Sequence, residues 1–434
     1  MKESRKIYLD YASATPIDSR VFSAMAKVFK ENFANSSAIH DLGVKTKNIL
    51  EQSRKNIAEI LGAHSDEIIF TSGATESNNL AITGIIKNLT LRPLLNKERV
   101  GERCIPHLIT TNIEHSSVLE ICKNLEKTKQ AEVTYIPVEK NGIIDSRKIR
   151  KAIKENTILV SVMYANNEIG TIQPIMEIAK EIRHYNKLNS KKIIFHTDAT
   201  QAINYLPTKV EKLGIDLMSF NGGKIYGPKG VGVLYIKRKT PISKIIFGGD
   251  QEFGLRAGTE NVVNIVGLSE ALKITEEIKQ KELERLIKLR NYFIQKLYDL
   301  KNQNSKFSRV LGLGPDQLEN FSFNFLLNGD LEKRLPNNIN ITIPKIPSDL
   351  LVLEFSARGI YISEKSACKS GDKKGSYVIE ALYPRGKASV VVGRRQRLRP
   401  SLRFSLGRQT TKADIDYVIK SLFEILIKLN KWYN

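Results

Sequence analysis

The chain reads as an α/β protein: a mainly parallel seven-stranded sheet in a large domain, followed by a smaller α+β domain. Three observations predict this. Apolar, β-branched runs alternate with amphipathic segments through the first two-thirds of the 434 residues, and that alternation builds a parallel sheet covered by helices on both faces. A stretch over 270–300 carries many Lys/Glu pairs at helical spacing, as in a solvent-faced helix that links two domains. Beyond it strand signals thin out and loops become more frequent.

The strand candidates of the large domain lie at 67–71, 107–112, 132–137, 157–163, 193–198, 217–220 and 232–236. Each is a short run rich in Ile, Val, Leu, Phe or Thr, which suits a strand buried on both faces. Helix candidates fall between many of them, for example over 46–61 and 175–186. In the last third the strand candidates are 339–343, 361–362 and 402–406. The division expected is a large domain over 17–270 and a small one made of 1–16 with 271–434. Open α/β sheets bind ligands past the C-terminal ends of their strands. Residues 71–75, His115, Asn167, Asp198 and Lys224 all fall at such ends.

Composition bounds the class. A hydrophobic fraction of 41% and a charged fraction of 26% are ordinary for a soluble globular protein. No run approaches the ~18 apolar residues of a membrane helix, and Met1–Lys6 carries no apolar signal core. The three cysteines, Cys104, Cys122 and Cys368, form no CxxC pair, which argues for a reducing cytoplasm over a disulfide framework. Cys104 and Cys122 sit among apolar or helical residues and read as structural. The net charge of +22 fits nucleic acid, anionic membrane or an acidic partner, although general richness in Lys, Ile and Asn accounts for part of it. The local cluster Arg394, Arg395, Arg397 and Arg399 stands apart from that background. Gly312-Leu313-Gly314-Pro315 lacks the strand–turn–helix context of a nucleotide motif.

Lys224 sits in Ser219-Phe220-Asn221-Gly222-Gly223-Lys224-Ile225-Tyr226-Gly227-Pro228, a glycine-punctuated turn after an apolar run. Desolvation there favours the neutral amine, the form that attacks a carbonyl, so the position suits a Schiff-base lysine. Upstream, the β-rich run Ile193-Ile194-Phe195 leads to Asp198. A buried Asp beside a pyridine nitrogen keeps that nitrogen protonated and makes the ring an electron sink. Together the two residues suggest pyridoxal 5'-phosphate. Singly, a solvated lysine and a loop-capping Asp are the plainer readings. The run Phe70-Thr71-Ser72-Gly73-Ala74-Thr75-Glu76 opens a helix-like segment whose N-terminal amides would hold a phosphate, with Ala74 and Thr75 at the contact. Ser363-Glu364-Lys365-Ser366-Ala367-Cys368-Lys369 places a cysteine between lysines in a polar loop, poised towards thiolate.

On these residues the chain resembles the cysteine desulfurases, pyridoxal-phosphate enzymes of aminotransferase class V with fold type I. The blocks that carry the resemblance occur in family order over nearly the whole chain. They are Ile7-Tyr8-Leu9-Asp10-Tyr11-Ala12, Ser72-Gly73-Ala74-Thr75-Glu76, Glu114-His115, Asn166-Asn167-Glu168, Asp198-Ala199-Thr200-Gln201, Arg256-Ala257-Gly258-Thr259, Ser366-Ala367-Cys368 and Arg403-Phe404-Ser405. The Ser-Ala-Cys loop is similar to that of the subgroup with a long mobile cysteine loop.

The resemblance implies roles. Lys224 holds the cofactor and shuttles a proton, Asp198 pairs with the pyridine nitrogen, Gln201 bonds the ring oxygen, and His115 stacks on the ring. Asn167 contacts cofactor or substrate, Asn35 lies near the active-site mouth on the substrate side, and Arg403 clamps the substrate carboxylate. Cys368 attacks the sulfur of L-cysteine and becomes a persulfide while L-alanine leaves. The family forms homodimers in which Thr259 reaches the partner's phosphate. The sulfur acceptor is an iron–sulfur scaffold protein or a tRNA-thiolation enzyme. Where the family has Ser and His before the lysine, this chain has Asn221 and Gly223, so two phosphate contacts are altered or lost. Lys365 and Ser36 also depart from the pattern. Segments near 89–106, 304–319 and 383–400 look inserted. A selenocysteine lyase, another class V transferase, or a degenerate paralogue acting as a binding partner are the competing readings.

Overall fold

The computed structural model describes residues 6–91, 105–189, 192–302, 324–364, 375–383 and 400–433. Cys104, Cys368, the cluster Arg394–Arg399, the glycine run 312–315 and nearly all of the three expected insertions lie outside the described residues.

A short first strand, β1 (Ile7–Tyr8), precedes the central sheet. That sheet comprises β2 (Ile68–Thr71), β3 (His107–Thr111), β4 (Glu132–Ile136), β5 (Thr157–Ser161), β6 (Ile194–Asp198), β7 (Leu217–Asn221) and β8 (Gly232–Ile236). They lie in the order β2-β8-β7-β6-β5-β3-β4. Only β8 runs against its neighbours; the other pairings are parallel. Nearly every residue of β2, β3 and β5 to β8 is buried, as their unbroken apolar runs predict. The expected strands are therefore present, with ends that differ by a residue or two.

The C-terminal third adds β9 (Leu326–Leu327), β10 (Asn338–Thr342), β11 (Ile360–Tyr361) and β12 (Leu402–Ser405). An antiparallel sheet orders β12-β10-β9, and β1 pairs in parallel with β11. The first residues of the chain thus join its last third. The amphipathic stretch over 270–300 is part of one helix, Val262–Lys301. It is not solvent-faced throughout. Ile265, Leu268 and Leu272 bury one end and Phe293, Leu297 and Leu300 the other, while 276–285 holds no buried residue.

Two histidines stitch the central sheet. His196, on β6, lies 2.8 Å from Ser161 Oγ on β5 and 3.0 Å from Ser219 Oγ on β7. His107, on β3, lies 2.7 Å from Thr157 Oγ1 on β5 and 2.8 Å from Thr134 Oγ1 on β4. A neutral imidazole has one donor and one acceptor, and hydroxyls rotate to suit both. Burial pushes both rings down to about 4. The unfolded rings protonate near 6.5 and the folded ones do not until about 4, so the unfolded state takes up the extra protons. Stability is lost as pH falls through that window. Buried Glu114, pushed up to about 8 by burial, acts in the opposite sense and offsets one of the two histidines above pH ~4.5. The denaturation midpoint of the apoprotein should therefore fall as pH drops from 6.5 to 4.5, and more steeply below. Replacing both histidines with Gln should flatten that slope; an unchanged slope would remove the histidines as its cause.

Candidate active site

The lysine turn begins where β7 ends. Asn221 closes the strand and a single turn, Gly222–Lys224, follows. A Cβ at Gly222 would meet Pro228 O at 2.6 Å, so only glycine lets the turn lie this close to the next loop. Thr15 clasps the turn on both sides of the lysine. Its Oγ1 and its amide each donate to Gly223 O at 3.1 Å, and the Oγ1 accepts from Tyr226 N at 2.8 Å. Tyr226 holds φ +62°, a conformation that side chains rarely adopt, and this clasp helps to fix it. Lys224 itself is half-buried, and its Nζ donates to Ala12 O at 2.8 Å and to Ser13 O.

Asp198 ends β6 in the same cavity. One carboxylate oxygen accepts from Asn78 Nδ2 at 2.8 Å and the other from Thr200 N at 2.9 Å. Asn78 also donates to Ser117 Oγ at 2.9 Å. Ser117 Oγ in turn lies 2.8 Å from His115 Nδ1. His115 is the N-cap of the helix Ser116–Lys127 and its Nδ1 accepts from Ser117 N at 3.1 Å. That bond assigns the proton of the neutral ring to Nε2. Behind it, Glu114 accepts from Thr111 Oγ1 at 2.7 Å and Met163 N at 2.9 Å, and its carbonyl from Tyr377 OH at 2.5 Å.

The helix Ala74–Leu91 points its N-terminus at this cavity. Its first-turn amides have no partner within the helix. A Cβ at Gly232 would meet the backbone of Gly73 at 2.6 Å, so β8 packs directly under the entry to that helix. Nearby, Thr200 Oγ1 and Asn221 Oδ1 are buried with no hydrogen-bond partner among the described residues. Gly223 has room for a side chain: a Cβ there would meet Lys229 Cγ at 3.4 Å, Asn221 Oδ1 at 3.8 Å and Lys229 Cα at 3.9 Å, and its φ is ordinary. The backbone does not demand glycine at this position.

Arg403, on β12, is 1% exposed. Its NH2 donates to Asp10 Oδ1 at 2.8 Å and Ser13 Oγ at 2.5 Å, and NH1 to Asn167 O at 2.8 Å. Its Nε has no partner among the described residues, nor does buried Asn167 Oδ1.

These groups line one cavity of about 190 Å³. It brings together Ala74, Thr75, His115, Asn167, Asp198, Gln201, Asn221, Lys224 and Arg403, all singled out in the sequence. Gln201 Nε2 is spent on Ala12 O at 2.9 Å. Asn35 and Thr259 are exposed and do not line the cavity within this chain; Asn35 Oδ1 accepts from Ser37 N at 2.9 Å. His40 caps the helix Asp41–Leu61 through Gly43 N, and Cys122 is buried; both are structural. The lining residues not foreseen as site residues are Ala12, Ser13, Ser117, Met163, Ala165 and Thr200, and Asp10 and Asn78 join them through their hydrogen bonds to Arg403 and Asp198. Asn78 was findable, since it lies one helical turn beyond Ala74 and Thr75 on the same face. Among the described residues no cluster of His, Cys, Asp and Glu is placed to hold a metal ion. None of the helices described is long and apolar enough to cross a membrane.

The model of the class V aminotransferases matches residues 7–418. The chain belongs to that family. A cysteine desulfurase IscS of Dictyoglomus turgidum is 41% identical over 425 residues, covering 98% of this chain and 95% of that protein. One of Methanosarcina thermophila is 40% identical over 428 residues, covering 98% and 93%. Among solved structures, a NifS-like protein superposes with a TM-score of 0.80 at 32% identity, over 97% of this chain and 99% of that one. SspA, solved in complex with cysteine, does so with 0.70 at 32% identity, over 92% and 99%. Class V aminotransferases and these IscS relatives are pyridoxal-phosphate enzymes, and the cavity fits that group. A lysine amine and a strand-end carboxylate face one space. Free amides of a helix N-terminus and the orphaned Thr200 hydroxyl and Asn221 amide border it.

Proposed function

We propose that the protein is a cysteine desulfurase that converts L-cysteine to L-alanine and leaves the sulfur as a persulfide on Cys368. The observation that carries this reading is the convergence of Lys224, Asp198, His115 and Arg403 on one cavity, in a chain whose relatives bear that name. Bound pyridoxal phosphate supplies an electron-withdrawing ring for the substrate's Cα. Thr75, Asn221 and the first amides of Ala74–Leu91 would hold its phosphate, and Asp198 its ring nitrogen. Gln201 would bond the ring oxygen in exchange for Ala12 O. Arg403 and Asn167 would orient the substrate carboxylate, with Asn35 at the mouth.

Lys224 Nζ takes the Cα proton and returns it. His115, with Nε2–H free of Ser117, can donate a proton over the ring face. The Cys368 thiolate attacks the substrate sulfur: the S–S bond forms, the C–S bond breaks, and the carbon skeleton is protonated and leaves as L-alanine. The persulfide then passes to an acceptor in the cytoplasm, an iron–sulfur scaffold protein or a tRNA-thiolation enzyme. Incubation of the holoenzyme with L-cysteine and a reductant tests this, with sulfide and alanine measured together. Equimolar release is expected. Pyruvate in place of alanine, or no sulfide, would overturn it.

The large domain is taken as 17–270 and the small one as 1–16 with 271–434. We also propose a homodimer whose Thr259 reaches the other subunit's phosphate. Support comes from exposed apolar side chains near the Asn35 segment, among them Phe33 at 78% and Ile39 at 98% exposure, together with Phe247 and Phe253. Ser36 Oγ donates to Glu260 Oε2 at 2.7 Å, tying the Asn35 segment to the Thr259 loop. Solution scattering of the active enzyme should give the mass of two chains; a fully active monomer would contradict the shared site.

A further inference from the structure

The segment Asp10–Thr15 touches both ends of the cavity. At one end, Asp10 Oδ1 and Ser13 Oγ take both hydrogens of Arg403 NH2, and Ser13 Oγ also donates to Asp10 Oδ1 at 2.9 Å. At the other, Ala12 O and Ser13 O accept from Lys224 Nζ, and Thr15 clasps the lysine turn. An arginine buried this deeply needs a counter-charge, and Asp10 supplies it. The same guanidinium is the group that would hold a substrate carboxylate.

We propose that Asp10 is a resident counter-ion that the substrate carboxylate must displace from Arg403, so that this segment sets the enzyme's affinity for amino acids. The proposal rests on the reading of Arg403 as the carboxylate site. Asp10 is then a positioning residue. It keeps the guanidinium ordered and neutralised while the site is empty, and yields NH2 when a carboxylate arrives. Because the ground state and the transition state carry the same carboxylate, the exchange acts on binding and leaves the chemical step alone. It raises KM and leaves kcat unchanged.

Asp10→Asn keeps a hydrogen-bond acceptor for Arg403 and removes the competing charge. The holoenzyme variant should bind L-alanine about fivefold more tightly, read from the cofactor's visible absorbance, the step from a charge-assisted to a neutral competing bond. Binding of L-alaninamide, which has no carboxylate, should not change. KM for L-cysteine should fall by a similar factor at constant kcat. Asp10→Glu, which restores the charge, should bring the acid-to-amide ratio back towards the wild-type value. Ser13→Ala removes the second acceptor of Arg403 NH2 together with the hydroxyl's bond to Asp10; it should shift the ratio in the same direction by less, and it serves as the test if Asp10→Asn does not fold. An unchanged ratio, or weaker binding of L-alanine, would overturn the exchange. A holoenzyme that shows the exchange yet releases no sulfide from L-cysteine would refute the desulfurase reading and leave the exchange standing.

Discussion

Replacing Lys224 with alanine is expected to lower sulfide release from L-cysteine by roughly 10³-fold or more, since proton transfer by a placed side chain alone is worth about 10²–10⁴. The amine has two tasks in the proposed reaction, and no other described lysine lines the cavity. It tethers the cofactor, so the variant should lose visible absorbance on desalting where the wild type keeps it. It also moves the Cα proton, which needs a neutral amine in reach of the substrate. Borohydride reduction of the wild-type holoenzyme followed by peptide mapping should mark Lys224. The nearest competitor along the chain is Lys229, which is exposed and packs over Gly223. A label there, or on any other lysine, would refute the assignment, and so would substantial turnover by the alanine variant.

Much of this site was legible in the sequence because its residues sit at the ends of strands. β6 and β7 announce themselves as apolar runs, and Asp198 and Lys224 follow directly from where those runs stop. The orientation of Arg403 was not legible. Its role was expected from its surroundings in the chain, but its pairing with Asp10 joins positions 393 residues apart where Asp10 bridges Ser405 at the end of β12, a one-residue contact with no periodicity to betray it. Strand β9 escaped for the same reason: two residues cannot show an alternation. The long helix Val262–Lys301 was misread as exposed because its Lys/Glu pairs cluster in the middle. The apolar side chains that bury its ends recur at helical spacing, but a stretch over 276–285 with no buried residue separates the two groups. Asn221 and Gly223 show a third limit. The resemblance implied that two phosphate contacts are altered or lost at Asn221 and Gly223. The structure adds that Gly223 has room for a side chain and that Asn221 Oδ1 lacks a partner among the described residues.

Cys368→Ser should leave the cofactor's spectrum intact and remove nearly all sulfide and persulfide formation. The prediction stands on sequence, since Cys368 lies outside the described residues, and it separates two chemistries that share everything else. In the proposed reaction Lys224, Asp198, His115 and Arg403 bind the amino acid and labilise its Cα proton. They do not provide a nucleophile for the substrate's sulfur. A thiolate flanked by Lys365 and Lys369 does, because nearby positive charge favours the ionised thiol. A serine hydroxyl at neutral pH is a far weaker nucleophile. The variant should therefore still exchange the Cα proton of L-cysteine with solvent deuterium at a rate near wild type while sulfide release falls by at least about a hundredfold, the scale on which loss of a catalytic group is felt. Mass spectrometry of the wild type after one turnover should find an additional sulfur on the peptide that carries Cys368. Near-normal sulfide release by the serine variant would mean that sulfur leaves without an enzyme persulfide, the behaviour of a lyase. Loss of deuterium exchange along with sulfide would mean that Cys368 supports the cavity and is not the sulfur acceptor within it.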